Sequence, residues 1–205
     1  MRRVAVIVGL LALLLPAAAW ADGINLTNQF GSVNVTNAGV ISKGSELMSY
    51  DGIVAPHGRS LGSVSFSTGA FTGASIFSGG TFSSVGSTFI VTSGGGHYGQ
   101  PPKGTIFSGS FVGPISWTLV SQTGKFMYNF TLSGTIYGML YTGRDVTGNT
   151  TQNITLYKNQ WSQDHMGLIR LGNSHLNVPE PGTLGLLGTG LIAMAGSMRR
   201  KLFER

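Results

Sequence analysis

The stretch ISWTLVSQTGKFMYNFTL, Ile115 to Leu132, decides the fold. Ile115, Trp117 and Leu119 alternate with Ser116 and Thr118; Phe126, Tyr128, Phe130 and Leu132 alternate with Met127, Asn129 and Thr131. Successive side chains of an extended strand point to opposite faces, so a period of two gives each run one apolar and one polar face. Ser121-Gln122-Thr123-Gly124 supplies turn residues between them, and the two runs read as a hairpin with one buried face.

The same period extends outward. Val64 and Phe66 alternate with Ser63, Ser65 and Ser67, and further strands are expected at 24–27, 32–36, 74–78, 81–85, 88–92, 104–112, 134–141, 151–157 and 166–171. Turn signals recur every ten residues or so, at Ser93-Gly94-Gly95-Gly96, Gln100-Pro101-Pro102 and Thr147-Gly148-Asn149. No amphipathic helix is visible between residues 22 and 178. Many short strands with glycine punctuation predict an all-β body, β-sandwich-like and antiparallel. An echo at a spacing of 30, Ile76-Phe77-Ser78-Gly79 and Ile106-Phe107-Ser108-Gly109, leaves a β-solenoid as the alternative.

Composition allows a folded body. Of 205 residues, 32 are Gly and only 10% are charged, against roughly 25% in an ordinary domain. Eleven Phe, six Tyr and three Trp supply the apolar area that a disordered Gly/Ser linker lacks. The net charge of +6 sits mostly at the ends: between Asp22 and Val178 seven basic residues face five acidic ones. That leaves no footprint for nucleic acid. With no cysteine there is no disulfide, thiolate metal site or cysteine nucleophile.

The two ends read as targeting segments. In residues 1–21, Arg2 and Arg3 precede the apolar run Val4–Leu15; Pro16 then breaks the helix, and Ala19 and Ala21 are the small residues that a signal peptidase requires. Twelve apolar residues reach only about 18 Å as a helix, too short for a hydrocarbon layer of about 30 Å. At the other end, Pro179-Glu180-Pro181 is followed by the uncharged stretch 182–198 and by Arg199, Arg200 and Lys201. The prolines hold an extended segment. The 17-residue stretch reaches about 26 Å as a transmembrane helix, and the basic cluster after it holds that side in the cytoplasm.

This ordered arrangement over 179–205 resembles the PEP-CTERM sorting domain. The resemblance implies a Gram-negative bacterium, insertion in the inner membrane before processing, and an exosortase as the processing partner. Pro179, Glu180 and Pro181 are then the recognition element, Arg199, Arg200 and Lys201 the stop-transfer cluster, and the catalytic groups lie on the exosortase.

Other motifs weigh little. Gly58-Arg59-Ser60-Leu61-Gly62 has the spacing of a nucleophile elbow but lacks its strand–turn–helix setting. Gly188-Thr189-Gly190-Leu191-Ile192-Ala193 mimics a dinucleotide fingerprint with no strand before it. His57, His97, His165 and His175 have no metal-ligand spacing, so neither metal nor cofactor is expected. Five N-x-[ST] sequons, at Asn25, Asn34, Asn129, Asn149 and Asn153, mark polar strand faces open to water or glycan. Trp117, Trp161, Tyr137 and Tyr141 are candidates for an aromatic platform. Trp117 lies on the apolar face and is expected in the core; Trp161, among Gln160, Ser162, Gln163 and Asp164, is the candidate sugar contact.

Three domains follow: signal peptide 1–21, exported body 22–178 and sorting signal 179–205. The leading functional reading is a non-enzymatic structural or interaction protein, exported to the cell surface, outer envelope or extracellular matrix and associated with exopolysaccharide. A carbohydrate-binding module of the biofilm matrix is the alternative, and an extracellular hydrolase, lacking a visible carboxylate pair, the third. The front end carries its own prediction: signal peptidase cleaves between Ala21 and Asp22, so N-terminal sequencing of exported protein reads Asp22-Gly23-Ile24. Retention of Met1 would overturn it.

Overall fold

The computed structural model describes residues 22–95, 101–158 and 165–178. The expected signal peptide 1–21, Trp161 and the expected sorting signal 179–205 with its 182–198 stretch lie outside them. Twelve strands form one hydrogen-bonded sheet: β1 (Asp22–Gln29), β2 (Ser32–Thr36), β3 (Gly39–Tyr50), β4 (Ile53–Val54), β5 (Gly62–Ser67), β6 (Phe71–Ser75), β7 (Gly79–Phe82), β8 (Thr88–Ser93), β9 (Gly104–Thr123), β10 (Met127–Leu140), β11 (Asp145–Tyr157) and β12 (His165–Val178). Among the described residues there is no helix, and so none long and apolar enough to cross a membrane.

The sheet closes on itself. Its order runs β10-β11-β12-β1-β3-β5-β8-β9, and β9 returns to pair β10 along nearly its whole length, from Met127↔Thr123 to Leu140↔Phe107. The short strands β1 and β2 share one place between β12 and β3, which makes an eight-stranded antiparallel barrel. The expected sandwich is therefore corrected to a barrel. Alternation reports which residues face inward, and both architectures satisfy it; β9–β10 is a local hairpin, whereas the ring closes through the last strand, β12, on β1 and β2 (His165↔Val35), a long-range pairing that alternation cannot show. The β-solenoid is excluded too, because the ladders are antiparallel and the two echoing stretches do different jobs. Ile76–Ser78 make the turn between β6 and β7, whereas Ile106–Gly109 lie within β9.

The decisive hairpin forms, with its turn moved to residues 124–126. Ile115, Trp117, Tyr128, Phe130 and Leu132 are buried, while Phe126 falls in the turn and is exposed. The runs expected at 104–112 and 115–119 are one strand, bent at Gly113-Pro114 where its register with β10 shifts. Beyond the bend its free edge passes from β8 to β7, so the β6–β7 hairpin extends the sheet. Trp117 Nε1 donates to Ile76 O at 2.7 Å and its ring stacks on Phe130 at 4.2 Å. The indole anchors the hairpin by one hydrogen bond and a large buried face. Phe66, Phe89, Phe107 and Phe111 fill the body of the barrel in edge-to-face and stacked contacts.

One region of the interior is polar. Asn28 on β1 and Gln152 on β11, both fully buried, exchange two amide hydrogen bonds of 3.0 and 3.2 Å. Asn28 Nδ2 also reaches Ser45 Oγ, and Gln152 Nε2 reaches Thr150 Oγ1, itself bonded to Ser174. The amides meet across β12 over Gly172, where an added Cβ would collide with Gln152 Oε1 and Asn28 Oδ1. Glycine is required here for space, and the space is filled by a satisfied polar network. Replacing Gly172 with Ala must part the amides and leave buried polar atoms unpaired. A loss of about 1–3 kcal/mol in urea denaturation is expected, and an unchanged midpoint would contradict the arrangement.

Candidate functional site

The outward face of β9, β10 and β11 is built mainly from hydroxyl and amide side chains, with Val112, Val120 and Met139 exposed among them. Strand pairing places these side chains in rows. Ser121, Asn129 and Thr155 form one row; Thr118, Thr131 and Asn153 the next; then Ser116, Ser133 and Thr151; and then Val112, Thr135 and Asn149. Beyond the last of these, Ser110, Tyr137 and Thr147 complete the wall. On β12 it continues through Asn173, His175 and Asn177, bordered by Leu168 and Leu171.

The rows are tied by side chains. Thr131 Oγ1 donates to Asn153 Oδ1 at 3.0 Å, and Thr155 Oγ1 to Asn129 Oδ1 at 2.8 Å. Thr135 Oγ1 donates to Asn149 Oδ1 at 3.0 Å, and Asn129 Nδ2 to Ser121 Oγ at 3.0 Å. Nδ1 of His175 lies 2.8 Å from Asn25 Oδ1 on β1. These contacts explain two of the five sequons. In N-x-T the Asn and Thr lie two apart and so share a strand face. Asn129-x-Thr131 meets Asn153-x-Thr155 in antiparallel register, so each Thr hydroxyl finds the opposite Asn carbonyl. This cross-strand pairing is what the sequon pattern encodes here.

Charge is nearly absent from the wall. The outward positions of β10 from Met127 to Tyr137, and of β11 from Thr147 to Tyr157, carry no ionisable acid or base other than the two tyrosines. Arg170 stands at a bulge in β12 with its Nε 3.1 Å from Thr155 Oγ1. Tyr157 and Tyr137 are exposed near opposite ends of the wall. Apolar side chains inside and polar ones outside reverse the arrangement of a barrel that spans a membrane.

The candidate residues named from the sequence fall in different places. Ala19, Ala21, Trp161, Pro179, Glu180, Pro181, Arg199, Arg200 and Lys201 all lie outside the described residues. Trp117 is buried and Tyr137 exposed on the wall, while Tyr141 lies beyond the end of β10. Gly58–Gly62 runs through a loop into β5 with no following helix. Burial first, then the charges of Tyr141 and Asp51, pushes the Tyr50 phenol up to about 12, which keeps it neutral as a packing group. Among the described residues no three His, Asp or Glu side chains stand close enough to hold a metal ion. The sequons mark polar strand faces in the sequence, but sequence reasoning misses the pairing of Asn and Thr side chains across strands that joins them into one wall.

Comparison with known families finds a PEP-CTERM protein-sorting motif at residues 177–201. The matched segment contains Pro179-Glu180-Pro181 and the basic residues Arg199, Arg200 and Lys201. No curated protein and no solved structure matches the chain. The first two residues of the motif, Asn177 and Val178, are also the last two of β12, so it follows the barrel with no spacer. For the wall itself, a double-mutant cycle of Thr131→Val with Asn153→Ala is expected to give a coupling of about 0.5–1 kcal/mol in equilibrium unfolding. Zero coupling would mean that the cross-strand bond adds nothing to the barrel.

Proposed function

From the sorting motif at residues 177–201, we propose that this chain is an exosortase substrate, exported through the inner membrane and delivered to the cell surface or extracellular matrix, where it serves a structural or interaction role without catalysis. The motif match is the observation that carries the reading. Pro179 and Pro181 deny helix to the residues before them and keep Glu180 on an extended, reachable segment. The uncharged 182–198 stretch is long enough to arrest the chain in a bilayer, and Arg199, Arg200 and Lys201 fix its orientation by the positive-inside rule. The barrel is the cargo. Its long strands present hydroxyls and amides to the outside and carry few charges, a surface suited to a hydrated polysaccharide matrix, and association with exopolysaccharide is part of the proposal.

Recognition and arrest separate by mutation. Glu180→Ala removes the charge of the motif and leaves the apolar stretch intact, so the chain inserts but keeps its full-length C-terminus. Neutral replacements of Arg199, Arg200 and Lys201 weaken arrest, and unprocessed chains reach the outside. Intact mass of membrane and released fractions, with and without exosortase, reads both results. Trimming of Glu180→Ala protein as in wild type would overturn the assignment.

A further inference from the structure

We propose that the outward wall of β9–β11, between Tyr157 and Tyr137, is a binding surface for a neutral polysaccharide lying along the strands. The proposal rests on the surface-association reading above and names the face and the chemistry of its partner.

The wall has the donors and acceptors such a partner needs. Asn149 and Asn153 spend their Oδ1 atoms on Thr135 and Thr131. No described residue accepts from their Nδ2 groups, so these donors face outward beside the hydroxyls of Ser133 and Thr151. The internal bonds hold the amides in fixed rotamers before anything binds, which lowers the ordering cost of recognition. A polysaccharide presents hydroxyls that both donate and accept, and it replaces the water on such a wall group for group. Tyr157 and the row of Tyr137 stand ten residues apart on β11, roughly 34 Å at the antiparallel rise. Both rings are exposed and rigid, with little entropy to lose on stacking against a sugar face.

The other partners fit less well. An acidic polymer needs a row of cations, and Arg170 at the border already has its Nε on Thr155. An anionic lipid surface needs a basic cluster, which these positions lack. A second copy of the chain would have to dry row upon row of hydroxyls and amides against a rigid face that cannot re-pair them all.

The test uses the full chain in zwitterionic detergent and polysaccharide from the producing cells, divided by anion exchange into neutral and acidic pools. Affinity electrophoresis is expected to show retardation by the neutral pool alone. Two variants probe the wall separately. N149D/N153D keeps the acceptors that Thr135 and Thr131 use while removing the free donors; Y137S/Y157S removes the rings. Each is expected to bind about tenfold more weakly, with circular dichroism and thermal midpoint close to wild type. Binding to the acidic pool only, binding to neither pool, or wild-type retardation of both variants overturns the proposal. So does a concentration-dependent dimer in sedimentation that N149D/N153D abolishes. Tail processing is followed in the same strains. Loss of Glu180 dependence with neutral-pool binding intact would defeat the sorting reading and leave the wall assignment standing.

Discussion

The pairing of β12 with β1 and β2 is the constraint on which the rest depends. It joins the two ends of a sheet that would otherwise be open, and with it every inward side chain acquires neighbours on all sides. Closure removes the two long free edges that an exported chain would otherwise offer to its own copies. It also sets where the aromatic residues go. Trp117 and Phe130 face each other across the β9–β10 ladder, and the Phe66, Phe89, Phe107 and Phe111 group lies where β5, β8 and β9 curve together. The bend at Gly113-Pro114 lets one strand serve both the ring and the β6–β7 extension.

Apolar packing alone leaves register weakly defined, because a slip of two residues keeps the same faces inward. The Asn28–Gln152 pair answers this from inside the barrel. Reciprocal amide bonds across an intervening strand are satisfied in one alignment of β1, β12 and β11, the one that sets Gly172 beneath them. Outside, the Asn–Thr rows define the same alignment for β10 and β11. The two polar systems restrict the ladders from opposite faces, and the outer one doubles as a prearranged surface.

How much was legible in the sequence depends on what each residue pattern reports. Ile115–Leu132 reported burial correctly within its strands, because alternation is a local consequence of the pleat, and failed at Phe126, which lies in the turn and is exposed. It misplaced the turn by a few residues, since Ser121 to Thr123 suit a turn and a solvent-facing strand equally. Gly39–Tyr50, a twelve-residue strand, went unread. Its inward residues include Ser42 and Ser45, and Gly44 interrupts it, so the apolar period is broken where the interior is polar. Sandwich against barrel was not legible at all, because closure is a property of which distant strands meet. The sequons carried information about pairing that their glycan meaning obscured. The sorting motif was legible as a pattern, because its Pro-Glu-Pro element, uncharged stretch and basic cluster are contiguous in the sequence.

The join between barrel and tail is the place where fold and sorting touch. β1 and β12 are neighbours, His175 lies over Gly23 and bonds Asn25, and so the chain enters and leaves the barrel beside each other at one end. The ladder of β12 with β11 runs through Asn177↔Thr147, and Leu176 and Val178 are buried. Pro179 then follows without a spacer, and as a proline it has no N–H to extend the ladder. The last described pair of the barrel, Asn177↔Thr147, therefore lies inside the matched segment, and strand and motif share Asn177 and Val178. Apart from Asn177 and Val178 the motif's residues belong to no described strand, which is why so specific a motif says nothing about what the barrel binds.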